Sequence, residues 1–358
     1  MTLVVFALDM ERCLRTRVAA VMLAGVIAGC GSAGSRELDR STPTSKREDA
    51  NSKPPLSPTA ATTLATEAYL WGYPLVTSAR TFHKLESVIG VNTLFWQERL
   101  SDVSTRVIVA PNQDTLYSVA VLDLRDGPLL LTVPDVHDRY WTYQMLDSWT
   151  EAFAYIGTRA TRGNGGSFLL TTSTWHGTVP PGVTRVTSQT PQMFLLGRFL
   201  IASDADIPAV MAIRAKVSLV PLNTETSRVH DVPSRDISQT PIAELGTAYF
   251  DELNAALEIN PPTRTEEVAR LQQFAAIGVG SRGVARPSIS NAELEGALSK
   301  APAAGEERLK RFQRARIRSG HGWMIDLEGG RYRNNTVRRA FVSKVGWGEN
   351  RPEEAVYP

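Results

Sequence analysis

The sequence predicts an α+β fold, with an N-terminal helix, then an antiparallel β-sandwich or jelly-roll-like sheet, then a mostly helical segment. Three observations support this prediction. Residues 64–75 carry a helical apolar pattern, residues 106–172 contain short alternating segments, and helical periodicity returns from Asp204 onward. The predicted parts are therefore a β-rich part over residues 61–203, a helical part over residues 204–320 and a closing segment over residues 321–358.

The first helix is expected to break at Pro74, because proline lacks the backbone N–H and its ring clashes with the preceding helical turn. Aromatic residues cluster in and after this helix. We interpret them as core and helix-packing residues rather than as a sugar-binding platform. They are Trp71, Tyr73, Phe82, Phe95 and Trp96.

Short alternating segments separated by turn residues predict the strands. Their regular spacing is typical of an antiparallel sandwich or jelly-roll-like barrel. The glycine-rich run at residues 163–166 lacks the lysine and the helix that follow a phosphate-binding loop, so we interpret it as a hairpin turn. The predicted strands are residues 106–110, 116–124, 129–133, 140–147, 152–157 and 168–172.

Helices are predicted over residues 207–220 and 241–257, where Thr240 can cap the helix and Pro241 suits its first turn. Two further helix starts have the spacing of a capping box. These pairs are Thr263 with Glu266 and Ser290 with Glu293. Residues 306–318 form a basic amphipathic run, for which a solvated helix face is the simpler interpretation and contact with anionic lipid is the alternative. Its arginines are Arg311, Arg314, Arg316 and Arg318.

The N-terminus has the pattern of an exported lipoprotein. Basic residues precede an apolar run over residues 18–29, which is too short for a transmembrane helix of roughly 20 residues and predicts a secretory signal peptide at residues 1–29. Ile27-Ala28-Gly29-Cys30 resembles the lipobox of bacterial lipoproteins. This resemblance implies lipidation of Cys30 and anchoring of the exported chain at the outer, extracytoplasmic side of the cell membrane. The alternative is an ordinary signal peptide and a secreted protein.

Two features of the leader bear on its start and on disulfide formation. Asp9 and Glu11 place acidic charge where a signal peptide is usually basic, so Met10 is an alternative start to Met1. The two cysteines of the chain, Cys13 and Cys30, lie in the leader and at the predicted cleavage site. No disulfide is therefore expected within the mature chain.

Residues 30–60 are rich in Ser, Thr, Gly, Pro and charge and are predicted to form a flexible tether. A flexible coil of about 28 residues spans roughly 30 Å on average, enough to hold a folded body clear of the lipid headgroups. The formal net charge of +2 is small and evenly mixed along the chain, which argues against nucleic acid as a partner.

Many separated motifs resemble the bacterial domain-of-unknown-function family 1254. They run in order through residues 62–358, and the resemblance implies a periplasm-facing or surface β-rich domain without a generally established activity. The motifs are Tyr69-Leu70-Trp71-Gly72-Tyr73-Pro74-Leu75, Pro111-Asn112-Gln113-Asp114-Thr115-Leu116-Tyr117-Ser118, Asp123-Leu124, Gly127-Pro128, Val133-Pro134, Asp138-Arg139-Tyr140-Trp141, Gln144, Asp147, Phe153-Ala154-Tyr155-Ile156-Gly157-Thr158-Arg159, Arg198, Ile277-Gly278 and Pro352-Glu353-Glu354-Ala355-Val356-Tyr357-Pro358.

In most members of that family the segment resembling residues 352–358 leads into a second β domain, of the family numbered 1214. The resemblance therefore implies a missing second domain. We hypothesise a split or truncated gene: if its second half survives, a separately encoded 1214-type polypeptide is a possible partner of this chain, and otherwise the chain is a free-standing half.

A polar cluster around the start of the second strand and its neighbours is the candidate ligand-binding site. Alternation places Tyr140, Thr142 and Gln144 on one face of the sheet. Such a cluster could bind a small polar or anionic molecule, with Asp114 as a candidate acid or base. The alternative is an Asx-type turn at Asn112 and structural ion pairs of Arg139 with Asp138, Asp123 or Asp147. The candidate residues are Asn112, Asp114, Thr115, Tyr117, Arg139, Tyr140 and Gln144.

The sequence predicts no cofactor and no metal site. The five histidines are scattered singly, without the close spacing that builds a metal site within one element. No nucleophile elbow, zinc-protease helix motif, paired cysteine motif or dinucleotide fingerprint is present. The histidines are His83, His137, His176, His230 and His321.

Two classes of function remain compatible with these observations. The preferred one is a non-catalytic envelope lipoprotein that acts as a ligand-binding or assembly module. The alternative is an envelope enzyme acting on a small molecule, with Asp114, Arg139 and Tyr117 at its site. An enzyme predicts a pocket in which Asn112, Asp114 and Arg139 converge, whereas a module predicts that these groups are paired or exposed.

Overall fold

The computed structural model describes residues 56–101, 112–223, 239–280, 290–316, 327–332 and 334–356. The predicted signal peptide, Cys30, nearly all of the predicted tether and the predicted strand at residues 106–110 lie outside the described residues. So do His230, His321 and Arg318.

The first helix, α1, spans Pro58–Ile89 and continues through Pro74. Ser57 caps its N-terminus, where the Ser57 hydroxyl accepts a hydrogen bond from the Ala60 N–H at 3.2 Å. The predicted break at Pro74 is wrong. A proline removes one backbone hydrogen bond, and α1 tolerates this loss because its central turns are buried on all sides by the sheet and by other helices.

Among the described residues, nine strands form two open sheets, so the predicted β-rich region is confirmed, but neither sheet closes into a barrel. The first sheet has the order β1-β2-β8-β4-β5 and is antiparallel throughout. The second has the order β7-β6-β3-β9, with β6 and β7 parallel. The strands are β1 (Phe95–Trp96), β2 (Thr115–Asp123), β3 (Leu129–Val133), β4 (Trp141–Asp147), β5 (Ala152–Gly157), β6 (Gly166–Thr172), β7 (Val183–Ser188), β8 (Gln192–Leu200) and β9 (Ser218–Pro221).

The glycine-rich run at residues 163–166 is not a hairpin turn. It connects β5 in the first sheet to β6 in the second, and these two strands do not pair. The run passes very close to the chain end of β3, where a Cβ atom on Gly165 would lie 2.1 Å from the Val133 carbonyl oxygen. The glycines therefore allow the chain to cross between sheets rather than to reverse within one.

The two sheets enclose an apolar core, and the first sheet packs its other face on α1. Leu131 and Leu170 of the second sheet face Trp141, Tyr143 and Phe199 of the first. On the opposite face of the first sheet, a smaller cluster joins the sheet to α1 and to Trp347. This cluster comprises Phe82, Leu85, Val119, Val121, Leu146 and Phe194. The first sheet is thus buried on both faces.

The helical region follows the sheets, as predicted, and its elements are α2 (Ile207–Arg214), α3 (Ala248–Ile259), α4 (Thr265–Phe274), α5 (Asn291–Arg316) and α6 (Thr336–Val345). Two predicted helices within it need correction. The predicted helix over residues 207–220 ends at Arg214, and its last residues form β9, which pairs with β3. The helix predicted over residues 241–257 begins at Ala248, because Gly246 has a left-handed φ of 58° that separates it from the short 3₁₀ turn Ile242–Glu244.

The two predicted capping boxes have different outcomes. At Ser290 one half of the box is formed, since the Ser290 hydroxyl accepts from the Glu293 N–H at 3.3 Å, but Glu293 Oε2 accepts from that hydroxyl at 2.6 Å rather than from the backbone N–H. At Thr263 it is absent, because Arg264 is the N-cap of α4 and the Thr263 hydroxyl donates to Gln189 Oε1 at 3.1 Å. The hydrogen bond from Thr263 to Gln189, in the turn between β7 and β8, therefore takes the place of the predicted helix cap.

The long helices pack closely on α1, and glycine makes this possible. A Cβ atom on Gly305 of α5 would lie 2.3 Å from the Tyr69 ring, and one on Gly72 would lie 2.5 Å from the Leu253 side chain of α3. Beside this contact, the Tyr69 hydroxyl donates to Glu306 Oε1 at 2.9 Å, and Lys344 of α6 pairs with the same carboxylate. Helices α1, α5 and α6 are therefore joined by both close packing and a shared polar contact.

Substitution of Gly305 by alanine should destabilise the protein, although alanine favours the helical backbone. The added methyl group overlaps the Tyr69 ring, and overpacking of this kind costs about 1–3 kcal/mol. Gly296 on the same helix is the matched control, because no atom lies within 4 Å of the position that its methyl group would occupy, and Gly296→Ala should stabilise by up to about 1 kcal/mol. Urea unfolding of both variants checks this. Equal effects of the two substitutions would contradict the packing argument.

Candidate functional site

Several of the predicted site residues share the outer face of the first sheet. Tyr117 of β2 pairs with Arg198 of β8, and Arg198 pairs with Thr142 of β4. Directly paired residues of antiparallel strands lie on the same face, so these side chains are neighbours. The Arg198 guanidinium lies 5.8 Å from the centre of the Tyr117 ring and donates to Gln144 Oε1 at 3.2 Å. Tyr117 and Gln144 are therefore brought together, through an arginine.

The C-terminal segment, residues 346–356, covers this polar face. Its contacts join four side chains of the sheet to four separate residues of the segment. Tyr140 Oη donates to Glu354 Oε1 (2.5 Å), Gln144 Nε2 donates to the Glu349 carbonyl (2.9 Å), Arg198 Nη1 donates to Asn350 Oδ1 (3.3 Å), and Tyr155 Oη accepts from the Arg351 N–H (3.0 Å). The polar side chains of this face are thus used to hold the closing segment.

Asn112 and Asp114 form an Asx-type turn. Asn112 Oδ1 accepts from the Asp114 N–H at 2.9 Å, and the Asn112 N–H donates to the Tyr117 hydroxyl at 3.2 Å. Asp114 is exposed, and Thr115 beside it is buried, with a hydroxyl that has no partner among the described residues. The turn connects this loop to Tyr117 but leaves the Asp114 carboxylate in solvent.

Arg139 lies in an ion-paired group at the edge of the sandwich. Its guanidinium binds Asp206 at 2.8 Å and Asp138 at 2.9 Å, and it also donates to the Leu200 carbonyl at 3.4 Å. The hydrogen bond from Arg139 lowers the pKa of Asp206. An open surface depression of about 430 Å³ adjoins this group. Asn112 and Asp114 share the hydrogen bond of their turn, but neither bonds to Arg139 within the described part of the chain, and each of the three is paired or exposed.

A cavity of about 180 Å³ lies where the sandwich meets the helical region. Four separate parts of the chain line it: the β4–β5 turn, the β7–β8 turn, the start of α4, and α6 with the C-terminal segment. None of the seven candidate residues contributes to it. The lining residues are Asp147, Trp149, Glu151, Phe153, Gln189, Thr190, Pro262, Thr263, Arg264, Glu267, Arg339 and Arg351.

Asp147 is the buried acid of this cavity, with only 4% of its surface exposed. Its Oδ1 atom accepts from the Trp149 N–H at 2.9 Å and from the Glu151 N–H at 3.0 Å. No described residue donates to Oδ2. Burial, and next the negative charge of Glu151, raise the pKa of Asp147 to about 7, although the two N–H donors and Arg339 act in the opposite direction. The carboxyl can therefore exchange a proton near neutral pH.

A buried ion network forms the floor of the cavity. Arg339 of α6 binds Glu151 at 2.5 Å and Glu267 at 3.3 Å, and Arg264 binds Glu267 at 2.9 Å. The Trp71 indole N–H of α1 also donates to Glu267. Burial alone would raise the pKa of Glu267, but attraction to Arg339 and the hydrogen bonds from Trp71 and Arg264 outweigh it and lower this pKa. Glu267 is thus an ionised carboxylate held by donors from α1, from α6 and from the N-cap of its own helix.

The turn that presents Asp147 is strained. Thr150 has a φ of 68°, in the left-handed region that β-branched residues rarely adopt. Its hydroxyl is buried and has no partner among the described residues. Strain of this kind costs of the order of 1–3 kcal/mol and is concentrated at functional sites. The left-handed backbone of Thr150 is therefore a second observation, independent of Asp147, that points to this turn as part of a functional site.

The sequence prediction missed most of this cavity. It named Asp147 as a neighbour of the candidate cluster, but not Glu151, Arg264, Glu267, Arg339 or Arg351. A local signal exists only at the turn, where an aspartate precedes Ser148 and Trp149 in the manner of an Asx motif. Apart from Glu151, these residues lie more than 100 positions away along the chain, and only the fold brings them together.

With this geometry in view, the comparisons with known proteins identify a family for part of the chain. Residues 91–221 match the family model described as "Protein of unknown function (DUF1254)". The predicted resemblance is confirmed over these residues. They span the whole sandwich from β1 to β9, and so include Asp147 and Glu151, whereas the helical side of the cavity lies outside the DUF1254 match.

Solved structures support the fold. The VPA0106 protein from Vibrio parahaemolyticus is similar with a TM-score of 0.57 and 20% sequence identity, over 82% of this chain and 69% of that one. A putative uncharacterized protein from Burkholderia cenocepacia has a TM-score of 0.24 and 14% identity, over 37% of this chain and 35% of that one, which is too low to support an argument. A search of the curated proteins found no match.

Two further findings concern metals and membranes. Within residues 56–356, excluding the gaps stated above, no group of three or more His, Cys, Asp or Glu side chains could hold a metal ion. In that same part of the chain, no helix combines the length and the apolar character needed to cross a bilayer.

The raised pKa values of the buried acids Asp147 and Glu86 should make the free energy of unfolding depend on pH. Because the pKa of Asp147 is raised to about 7 from about 3.9 in the unfolded chain, the folded protein binds more protons between these values. The contribution of the Asp147 carboxyl to the free energy of unfolding is therefore fully present below about pH 4 and is lost as pH rises through about 7. Burial and Asp123 also raise the pKa of Glu86 to about 7, so it titrates in the same window.

The free energy of unfolding should decline less steeply with rising pH in Asp147→Asn and in Glu86→Gln. The double variant should lose most of this pH dependence. Urea unfolding free energies between about pH 4.5 and 8.5 measure the slope for all four proteins. The lowered pKa of Glu267 affects stability only below this range. If Asp147→Asn keeps the complete wild-type slope, the carboxyl of Asp147 is not protonated in the folded protein.

Proposed function

We propose that this chain is the folded body of an exported, membrane-anchored lipoprotein that binds a small molecule in the cavity at Asp147. The observation that carries the proposal is a buried carboxyl with one oxygen unpartnered among the described residues, in a concave site at the junction of two structural layers. Binding sites commonly combine apolar walls with a few oriented polar groups. Trp149, Phe153 and Pro262 supply such walls here.

A binding module accounts for the geometry better than an enzyme with a site at Asn112, Asp114 and Arg139. An active site needs these groups to converge on a reacting atom. Asn112 instead holds a turn, Asp114 faces solvent, and Arg139 is neutralised by two aspartates. The proposal therefore keeps the binding role predicted from the sequence and moves the site to the other end of β4.

Support for the anchor comes from the sequence alone. The apolar run and Ile27-Ala28-Gly29-Cys30 place a cysteine at the position that a lipobox requires. Stable membrane attachment needs two or more acyl chains, which diacylglyceryl modification of Cys30 provides. The predicted tether would then hold the cavity away from the lipid surface.

Cys30→Ser should abolish lipidation and move the protein from the detergent phase to the aqueous phase in detergent partitioning of cells that express it. Cys13→Ser is the matched control, because Cys13 lies in the predicted leader and should be dispensable. Intact-mass measurement of the mature protein should show a lipidated N-terminal cysteine in the wild type. An unmodified Cys30 in a released protein would contradict the anchor and favour an ordinary signal peptide.

Blocking the cavity should abolish ligand binding without unfolding the protein. Thr263 is exposed at the cavity rim, so Thr263→Trp should fill the opening. Thr265→Trp, two residues away, exposed and outside the lining, is the control. Native mass spectrometry of the detergent-solubilised lipoprotein, incubated with an envelope metabolite extract, should show bound mass in the wild type and the control but not in Thr263→Trp. Equal binding by all three proteins would place the ligand elsewhere.

A further inference from the structure

The charges that line the cavity are partly neutralised by one another. Glu151 and Glu267 pair with Arg339 and Arg264, and Glu266, which lies outside the lining, is also 3.7 Å from Arg264. Two lining groups stand outside these pairs. Asp147 Oδ2 accepts no hydrogen bond from a described residue, and the guanidinium of Arg351 forms no ion pair or hydrogen bond within the described part of the chain.

Arg351 is a partly buried residue of the cavity lining. Its Nε atom is inaccessible to solvent and has no hydrogen-bond partner among the described residues. Its backbone is fixed, because the Arg351 N–H donates to the Tyr155 hydroxyl at 3.0 Å. A buried N–H without an acceptor is costly, by about the strength of a lost hydrogen bond, and an arginine fork matches the two oxygens of a carboxylate. The Arg351 guanidinium therefore lines the cavity without a partner among the described residues, and an anion in the cavity could pair with it.

The net charge of the side chains that line the cavity determines which ligand charge the cavity favours. Three guanidinium groups line the cavity, and two of the three carboxyl groups form ion pairs with two of them. When Asp147 holds its proton, the lining carries one net positive charge, and its O–H can donate to a neighbouring oxygen. A single negative charge neutralises this set, whereas a cation would add to it.

The shape of the lining sets the rest of the ligand. Trp149, Phe153 and Pro262 provide an apolar wall in a space of about 180 Å³. We propose that the cavity binds a small monocarboxylate, with its carboxylate between Arg351 and Oδ2 of Asp147 and its apolar part against Trp149 and Phe153. This inference rests on the proposed binding function and names the ligand class of the same site.

Affinity for a monocarboxylate should fall as pH rises above about 7. Ionisation of Asp147 places a second negative charge beside the ligand, and each pH unit above the pKa should weaken binding up to about tenfold. The charged groups around Asp147 are Glu151 on its own turn, Glu267 and Arg264 on α4, Arg339 on α6 and Arg351 on the C-terminal segment. Asp147 is the member of this set whose pKa is raised to about 7.

The test is calorimetric titration of the detergent-solubilised lipoprotein with acetate, butyrate and benzoate, and with butyramide, butylamine and inorganic phosphate as probes of other chemistry. We expect butyrate or benzoate to bind and butyramide and butylamine not to bind. Arg351→Gln should weaken binding at least tenfold, and Arg351→Lys should restore part of it. Arg331→Gln is the matched control, because Arg331 is exposed, pairs with Glu353 and lies outside the cavity.

The Asp147→Asn variant tests whether ionisation of Asp147 causes the pH dependence of binding. The asparagine should still bind the carboxylate, and the affinity should lose its dependence on pH, because its amide group donates at every pH. Circular dichroism and thermal unfolding of each variant identify any that do not fold. The Arg351→Lys and Asp147→Asn proteins then keep the proposal testable if Arg351→Gln is unfolded.

The outcomes separate the ligand class from the binding function. If butylamine, butyramide or phosphate binds and Thr263→Trp abolishes that binding, the cavity is a binding site and the monocarboxylate proposal is wrong. Carboxylate binding that Arg351→Gln leaves unchanged overturns it as well. If neither the probes nor an envelope extract yields binding that Thr263→Trp removes, the proposed function itself fails.

Discussion

Arg339 forms the contact on which the arrangement of the two halves depends. Its side chain is 5% exposed and binds both Glu151, on the β4–β5 turn, and Glu267, on α4. Trp71 extends the same network to α1. Removing one partner from a buried ion pair typically costs about 3–5 kcal/mol, because the other charge is left uncompensated in a medium of low polarity. The sandwich, α1, α4 and α6 therefore have one relative arrangement in which all of these charges are paired.

The fold could be predicted from the sequence where one face of a segment is exposed or where turns delimit it. The strand at residues 129–133 agrees with the structure at both ends, and Leu129–Val133 indeed alternates between buried and partly buried positions. The strand Gln192–Leu200 was missed. Its first four residues are all buried, and its middle is a continuous apolar run, Met193-Phe194-Leu195-Leu196, which periodicity alone does not assign to a strand or a helix. β2 and β4, which flank it, are buried at every position but were delimited in the sequence by turn residues.

The candidate site could be predicted only in part, for a similar reason. Tyr117, Tyr140 and Gln144 do share one face of the sheet, as alternation indicated for Tyr140 and Gln144. What the sequence could not show is that residues 346–356 occupy this face. The cavity is assembled from chain segments separated by more than 100 residues, and no local spacing encodes such a site. Its one local trace is the Asp147 turn, which resembles an ordinary structural Asx motif.

A structural role alone does not account for an acid at position 147. Oδ1 accepts the Trp149 and Glu151 N–H groups, and the carbonyl oxygen of an asparagine could accept both in the same geometry. Asparagine would avoid the cost of burying an ionisable group next to Glu151, a cost that appears as the raised pKa of Asp147. The turn also contains the strained Thr150. What a carboxyl adds over an amide here is a proton that can be held or released near neutral pH. A ligand in the cavity could use that proton, and this difference supports the proposed binding role of the turn.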